Sequence, residues 1–191
     1  MHVGLFFGSF NPLHIGHLAI AGYMAEFTNL DHVWLVVSPH NPLKKKESLL
    51  KDHHRLAMLR AALEDIPYLK PSDVEFGMPQ PSYTINTLIY LEEKYPQHTF
   101  SLILGSDNLN SFMKWKNAEL ILKHHQLFVY PRKGFDGGEL RNHESVHWIS
   151  EAPEMEISST FIRNSVKEKK DIRYLMPVAA WEYMKEMHFY E

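Results

Sequence analysis

Two histidines three residues apart follow a glycine and a turn near the start of the chain. They are His14 and His17, and residues 4–17 read GLFFGSFNPLHIGH. At this spacing both rings lie on one face of the first turn of a helix. Imidazole N–H groups beside the unpaired amides of a helix N-terminus suit a polyphosphate whose charge grows during a reaction. The alternatives are two surface or capping histidines, or a zinc pair, for which no third ligand is evident nearby.

The loop before the histidines has the composition of a phosphate-binding turn. Gly8 lets a phosphate approach the backbone, and Asn11 with Pro12 predicts a turn. The glycines do not fit the dinucleotide fingerprint G-x-G-x-x-G, and the chain has no Gly-Lys-Ser/Thr P-loop. An anion at this loop must therefore be held by other groups.

A second candidate anion site lies in residues 157–163, which read ISSTFIR. Ser158 or Ser159 can cap a helix, and the amides and hydroxyls that follow then face an anion. Arg163 places a cation in the first turn, where it opposes the helix dipole, and no acidic residue stands three positions after Ser159 or Thr160. We therefore expect Arg163 to face a phosphate; a solvated surface arginine is the alternative.

Alternating strands and helices must position these loops. The apolar runs predict strands at residues 3–7, 32–37, 73–76, 100–104, 126–130 and 146–149. Helices are predicted after Pro12, from a cap at Asp52 to about residue 63, over 85–89, 118–123 and 159–167, and from Pro177 to residue 187. The pattern indicates an α/β fold, a doubly wound, Rossmann-like parallel sheet with helices on both faces. Gly8, Ser38 and Gly105 then meet at the carboxyl ends of strands, where such sheets bind ligands.

Composition narrows the class of protein. The chain has 191 residues, 45% of them hydrophobic, which is enough for a full core, and we expect a single domain spanning residues 1–191. The formal net charge of −3 gives no field that would attract nucleic acid or an anionic membrane. Cysteine is absent, and no apolar run approaches the roughly 20 residues of a membrane span. We expect a cytoplasmic protein; a homo-oligomer is compatible with the sequence.

Both candidate anion sites resemble signatures of the nucleotidylyltransferase superfamily. Residues 8–12, with His14, Gly16 and His17, resemble G-x-F-[DN]-P-x-H-x-G-H, and residues 157–163 resemble I-S-[ST]-T-x-[IL]-R. The resemblance implies that His17 binds and activates the nucleotide phosphates. It implies ATP binding by Gly8, Ser9, Phe10, Gly16, His17, Ser158, Ser159, Thr160 and Arg163.

Three internal segments resemble the bacterial nicotinate mononucleotide adenylyltransferases within that superfamily. They read PSYT at 81–84, LGSD at 104–107 and KW at 114–115, so the resemblance covers nearly the whole chain. It implies that AMP passes from ATP, bound with Mg²⁺, to nicotinic acid mononucleotide, giving the deamido dinucleotide and pyrophosphate. His17, His14 and Arg163 are then the catalytic residues, and no residue is assigned to a metal.

The same resemblance suggests contacts for the mononucleotide. The amides of Tyr83 and Thr84, at a helix start, can hold the pyridine carboxylate, and Trp115 can stack on the ring. Asp107 can accept hydrogen bonds from ribose hydroxyls or position the metal, and Lys45, in a run of three lysines, can bind the phosphate. The alternatives are a capping role for the serine before Tyr83, a core role for Trp115 and a solvated lysine loop.

In the reaction that the resemblance implies, the mononucleotide phosphate is itself the nucleophile. Its second pKa, about 6, leaves it largely ionised at neutral pH, so the reaction needs no general base. We expect in-line attack on the α-phosphorus without a covalent enzyme intermediate, accelerated by positioning and charge stabilisation.

Two departures from the family pattern bear on the acceptor. The acid-specific bacterial enzymes usually read G-G-T-F-D-P and P-P-H-K, whereas this chain has GSFNP at 8–12 and NPLKK at 41–45. The Ser-Phe-Asn form is familiar from relatives that accept nicotinamide mononucleotide, so amide or dual specificity is the first alternative. A phosphopantetheine-type adenylyltransferase is another, and a nucleotide sensor without turnover, which should have lost His17 or Arg163, is a third.

Overall fold

Six parallel strands form one sheet in the computed structural model, which describes residues 1–39 and 49–191. The strands are β1 (His2–Gly8), β2 (His32–Val37), β3 (Leu69–Ser72), β4 (Thr99–Gly105), β5 (Leu127–Tyr130) and β6 (Val146–Trp148). They lie in the order β3-β2-β1-β4-β5-β6, and every neighbouring pair is parallel. This is the order of a doubly wound Rossmann sheet, which confirms the predicted fold class.

Helices cover both faces of the sheet. They are α1 (Ile15–Phe27), α2 (Asp52–Leu63), α3 (Thr84–Lys94), α4 (Ser106–Asn110), α5 (Ala118–His124), α6 (Ser159–Lys167) and α7 (Val178–Glu186). Successive strand residues point to opposite faces, so Leu5 of β1 lies in one buried cluster with Leu88 of α3, while Phe6 lies in another with Ile20 of α1. One core therefore lies between the sheet and α1 and α2, and the other between the sheet and α3 and α5.

A third apolar cluster lies beside the sheet. It joins Met58 of α2 to Ile162 of α6 and to Ala180 and Met184 of α7, all of which are buried. The cluster fixes α6 against α2, and the N-terminus of α6 consequently faces the end of β1. Among the described residues, no helix has both the length and the apolar character needed to cross a bilayer.

The strand predicted at residues 73–76 is wrong. Strand β3 precedes that segment, and Val74–Gly77 forms a 3₁₀ turn. Strand β3 tolerates Pro71 because it lies at the edge of the sheet, where no further strand needs that N–H. The alternation of Val74 and Phe76 imitated a strand, but Glu75 between them turns inward and accepts a hydrogen bond from the Thr87 hydroxyl at 2.8 Å.

Some predicted helix ends shift by one residue. Asp52 is the first residue of α2 rather than its cap, which is Lys51. Pro177 is the cap of α7 rather than its first residue. Helix α4, which follows β4 directly, was not predicted because five residues are too few to show a helical period.

Candidate active site

Two adjoining cavities open where β1 and β4 end, at the point where the strand order reverses. Their volumes are about 720 Å³ and about 310 Å³. Both are lined by Gly8, Ser9, Asn108, Tyr130 and Ser159, so the two spaces form one divided cleft. We call the larger space, which reaches Thr84 and Trp115, the wide cavity, and the smaller one, which reaches His14 and His17, the histidine cavity.

The histidine cavity is built on the start of α1. His14 is the N-cap residue and His17 the third helical residue, and their rings stack with centroids 3.7 Å apart. The His14 backbone N–H donates to Nδ1 of His17 at 3.2 Å. Because this nitrogen accepts a hydrogen bond, the neutral ring of His17 carries its proton on Nε2.

Burial keeps both imidazoles uncharged. Burial, and to a lesser extent the charge of Arg132, lowers the pKa of His14 to about 4. Burial, followed by the proximity of His14 and Arg132, holds the pKa of His17 well below its usual value. At neutral pH each ring therefore acts as a hydrogen-bond donor without a charge of its own.

Gly16 makes the histidine stack fit. A Cβ atom at this position would lie 3.0 Å from Nδ1 of His14 and 3.3 Å from Cβ of Met155. Gly16 lines the histidine cavity, as expected for a residue of the first signature. Its lack of a side chain is what lets the two rings lie against the start of α1.

The other residues of the first signature divide between cavity and core. Gly8 and Ser9 line both cavities. The side chain of Phe10, predicted to bind ATP, is 1% exposed and lines neither cavity. It packs edge-on against His17, and a Cβ atom at Gly8 would meet its ring at 2.8 Å. Phe10 therefore shapes the loop. The missing side chain of Gly8 leaves room for the phenylalanine ring, and Gly8 also lines both cavities.

Helix α6 brings the second signature to this loop. Ser158 caps the helix and accepts a hydrogen bond from the Phe161 N–H at 3.1 Å, which confirms the predicted cap. The Ser159 hydroxyl donates to the carbonyl oxygen of Pro12 at 2.9 Å. This bond joins the two signatures directly, across 147 positions of sequence.

Arg163 is placed differently from the prediction. It is the fifth residue of α6, in the second turn rather than the first. Its guanidinium donates to the carbonyl oxygen of Asn11 at 2.8 Å and to the Thr160 hydroxyl at 3.2 Å. An anion is therefore not needed to give this cation a partner, so the phosphate contact of Arg163 stays a prediction that rests on the resemblance. Both Thr160 and Arg163 line the wide cavity.

Arg132 and Asp107 form an ion pair in the wall of the histidine cavity. Nε of Arg132 lies 4.0 Å from Oδ1 of Asp107. Asp107 was predicted to contact the mononucleotide ribose or a metal; it lines the histidine cavity and not the wide one. Sequence reasoning missed Arg132, although its place two residues after the end of β5 was a usable signal, because ligands bind beyond the carboxyl ends of parallel strands.

The wide cavity is bounded by the start of α3. Thr84, the first residue of α3, and Trp115 line it. Trp115 also packs against Phe112, with ring centroids 4.9 Å apart, so it belongs to the core and to the cavity wall at once. Tyr83 is the cap of α3; its side chain is 40% exposed, lies under Nζ of Lys116 and does not line the cavity.

One fully buried arginine ties the edges of the cleft together. Arg55 of α2 donates to the carbonyl oxygens of Ser9, Ser38 and Leu50 at 2.6, 2.9 and 3.1 Å, and it pairs with Asp52. It anchors the residues that directly follow β1 and β2, and it lines neither cavity.

Two further predictions concern metal and phosphate ligands. Lys45, predicted to bind the mononucleotide phosphate, lies outside the described residues. Within residues 1–39 and 49–191, no three His, Asp or Glu side chains are grouped as they would be around a metal ion.

Comparison with known proteins places the chain in a family. Residues 5–165 match the family described as cytidylyltransferase-like. Over their full lengths, the chain is 55% identical to a probable nicotinate-nucleotide adenylyltransferase of Flavobacterium psychrophilum. The chain belongs to the nicotinate-nucleotide adenylyltransferase family.

Other members of the nicotinate-nucleotide adenylyltransferase family support this placement. A probable member from Bacteroides thetaiotaomicron is 47% identical over 97% of this chain and 92% of its own length. Among solved structures, the Plasmodium falciparum nicotinic acid mononucleotide adenylyltransferase complexed with NaAD superposes with a TM-score of 0.82, covering 99% of this chain and 97% of its own. At 19% identity, that likeness shows the shared fold.

Proposed function

We propose that this chain transfers AMP from ATP to nicotinic acid mononucleotide, giving the deamido dinucleotide of NAD biosynthesis and pyrophosphate. The divided cleft carries the proposal, because it offers two adjoining spaces whose shared wall, at Gly8, Ser9 and Ser159, is where two nucleotide phosphates would meet. Relatives named for this activity match the chain from end to end. A cytoplasmic location and a homo-oligomeric assembly stay predictions.

The two substrates are assigned by the chemistry of each space. The ATP phosphates lie in the histidine cavity, where His14, His17 and the capped start of α6 supply N–H and hydroxyl donors. The pyridine ring lies in the wide cavity beside Trp115. There the first amides of α3, at Thr84, face the ring carboxylate, since the first amides of a helix have no partner within it.

The reaction is a single displacement. An oxygen of the mononucleotide phosphate bonds to the α-phosphorus of ATP as the bond from that phosphorus to the bridging oxygen breaks, and pyrophosphate leaves. His17 donates its Nε2–H to the charge that develops, and His14 adds a second neutral donor. Arg163, held by Asn11, supplies a fixed positive charge at the wall of the wide cavity.

Mg²⁺ bound with ATP fits this cavity. The ion usually takes one or two carboxylates and completes its shell with phosphate oxygens and water. Among the described residues, Asp107 is the one carboxylate that lines the histidine cavity, and it would hold the ion there in place of its contact with Arg132. When bound, the ion neutralises charge on the triphosphate; the residues named above supply the positioning.

A two-way substrate comparison tests the proposal. Purified protein is incubated with Mg²⁺, either ATP or CTP, and either nicotinic acid or nicotinamide mononucleotide, and the dinucleotide is separated by chromatography. We expect ATP with the acid to be preferred over the amide by roughly tenfold or more in kcat/KM, the value of one charge-assisted hydrogen bond. The Ser9-Phe10-Asn11 sequence is the reason to test the amide. Faster turnover of nicotinamide mononucleotide would support adenylyl transfer but show that nicotinic acid mononucleotide is not the preferred acceptor. No dinucleotide with any pair would refute the proposal.

A further inference from the structure

The end of the chain returns to the loop between β1 and α1. We call residues 188–191 the C-terminal tail and residues 9–13 the first loop. In the tail, the Tyr190 hydroxyl donates a hydrogen bond of 2.6 Å to Oδ1 of Asn11, across 179 positions of sequence. The same oxygen accepts the backbone N–H of Leu50 at 3.1 Å. Asn11 is therefore a junction between the tail, the first loop and the chain that enters α2.

The hydrogen bond from Tyr190 holds a residue of the first loop, and the position of this loop determines the shape of the active site. Asn11 itself lines the wide cavity, and its carbonyl oxygen accepts the guanidinium of Arg163. The chain continues from Asn11 through a turn to His14 and His17. A displacement of Asn11 would therefore move a cavity wall, the arginine and the start of α1 together.

The tail is held in a conformation it would not adopt alone. His188 and Tyr190 have φ angles of 51° and 65°, in the left-handed region where a residue other than glycine costs roughly 1 kcal/mol or more. Phe189 packs edge-on against His54 of α2 at 4.7 Å between ring centroids. The Glu191 carboxylate accepts a hydrogen bond from His188 at 2.9 Å. These contacts aim the Tyr190 ring at Asn11.

The Tyr190 hydroxyl is a permanent donor. Burial raises the pKa of Tyr190 above its usual range, although Arg163 and Arg55 act in the opposite direction. The phenol therefore keeps its proton at neutral pH. Because the acceptor is an amide oxygen on a cavity residue, the bond has a fixed direction from the tail to the active site.

We propose that Tyr190 is a positioning residue, which fixes the side chain of Asn11 and thereby holds the first loop and the entry to α2 in the arrangement the reaction requires. Its kinetic consequence rests on the proposed adenylyl transfer. Its structural consequence, a loop ordered by the tail, does not.

The kinetic test compares Tyr190→Phe with Tyr183→Phe. Both remove only a hydroxyl from a partly buried tyrosine near the C-terminus, but the Tyr183 hydroxyl bonds His54 at 3.1 Å instead of the first loop. We expect Tyr190→Phe to lower kcat roughly five- to tenfold, as for one lost hydrogen bond, with a smaller rise in the mononucleotide KM because Asn11 lines the wide cavity. Tyr183→Phe should keep kcat. A purely structural role would lower Tm in Tyr190→Phe and leave kcat per folded molecule unchanged, which would overturn the proposal.

A double-mutant cycle tests the route through Asn11. Asn11→Ala removes the acceptor, so Tyr190→Phe should have no further effect on kcat in that background. If Tyr190→Phe lowers kcat by the same factor with and without Asn11, the two residues act independently and the proposed route is wrong.

Amide hydrogen exchange reads the loop without using activity. In Tyr190→Phe the Leu50 amide and the amides of the first loop should exchange at least about tenfold faster than in the unmodified chain, and in Tyr183→Phe they should not. Unchanged exchange would overturn the positioning role whatever the enzyme does. If the chain makes no dinucleotide yet Tyr190→Phe accelerates exchange, the proposed reaction fails while the tail is still the element that orders the loop.

Discussion

The neutral ring of His17 has a single N–H, and a hydrogen bond from His14 decides which ring nitrogen carries it. Its Nδ1 accepts the backbone N–H of His14, so Nε2 carries the proton into the histidine cavity. The residue therefore stabilises charge without having to be charged first. This differs from Arg163, whose charge is permanent and whose guanidinium is already committed to Asn11 and Thr160.

Replacing His17 with alanine should remove a donor that matters most in the transition state. We expect His17→Ala to lower kcat by about 10²-fold or more while the mononucleotide Kd stays within a few-fold, measured by steady-state kinetics and calorimetry. His147→Ala, which removes an exposed imidazole bonded to Gln126, is the control and should keep kcat. Near-normal kcat in His17→Ala would rule out the assigned role.

His14 links the site to stability at low pH. Its pKa is about 4 in the folded chain against 6.5 for a free histidine, so between these values the unfolded chain binds a proton that the folded chain does not. The resulting stability is complete above pH 6.5 and is lost as pH falls towards the folded pKa. Between pH 7.5 and pH 5 the free energy of unfolding should fall in both proteins, measured with urea. The fall should be roughly 2 kcal/mol smaller in His14→Gln than in the unmodified chain. Parallel pH curves for the two proteins would contradict the low pKa.

Trp115 has both a core contact and a place in the cavity wall. It packs on Phe112 and lines the wide cavity, so its loss should affect both stability and binding. We expect Trp115→Ala to raise the mononucleotide KM roughly tenfold or more through lost ring stacking, with the ATP KM close to that of the unmodified chain. Trp115→Phe should recover most of the difference. Equal losses for both substrates would make Trp115 a core residue only.

At the scale of elements, the start of α1 is the part of the site with least room. Gly16 lies against the His14 ring, whereas a Cβ atom at Gly22, further along the same helix, would have nothing within 4 Å. Gly16→Ala should push the histidine stack by a few tenths of an ångström and lower kcat roughly tenfold. Gly22→Ala should keep kcat and stabilise the helix by up to about 1 kcal/mol, measured by thermal unfolding. Equal kcat in the two variants would show that the stack can shift without cost.

Elements with a strong local period were predictable, and those defined by a distant partner were not. Strands β1, β2 and β4 are nearly continuous apolar runs, and α6 begins at a serine cap, so local sequence is enough. Residues 73–76 alternate like a strand, but the buried Glu75 is stabilised by Thr87 of α3, which the local pattern does not contain. A short alternation of apolar residues is therefore not enough to predict a strand when the residue between them is buried by a contact with a distant element.

The same reasoning explains which site residues were found. His14, His17 and Ser158 stand in short motifs whose spacing carries their geometry. The role of Tyr190 comes from a contact across 179 positions, with Asn11. Such contacts exist only once the whole sheet and the third apolar cluster have formed, so composition and spacing do not reveal them.

At the scale of the whole molecule, Arg55 connects the sheet to the cleft through its hydrogen bonds. Its guanidinium joins the ends of β1 and β2 to the chain before α2, and it is fully buried. A buried cation is costly unless its hydrogen bonds are complete, and removing it leaves three backbone carbonyls without their donor. Arg60 on the same helix also pairs with an aspartate, Asp73, but that pair is exposed.

The two arginines therefore make a matched comparison of stability. Arg55→Ala should lower the free energy of unfolding by about 3 to 5 kcal/mol, whereas Arg60→Ala should change it by less than about 1 kcal/mol, both from urea denaturation. If Arg55→Ala does not fold, Arg55→Lys keeps the charge but loses the forked donor, and it should still be much less stable than Arg60→Lys. Equal losses in the two arginine variants would mean that the strand ends keep their positions without Arg55, and that the cleft is held by the sheet alone.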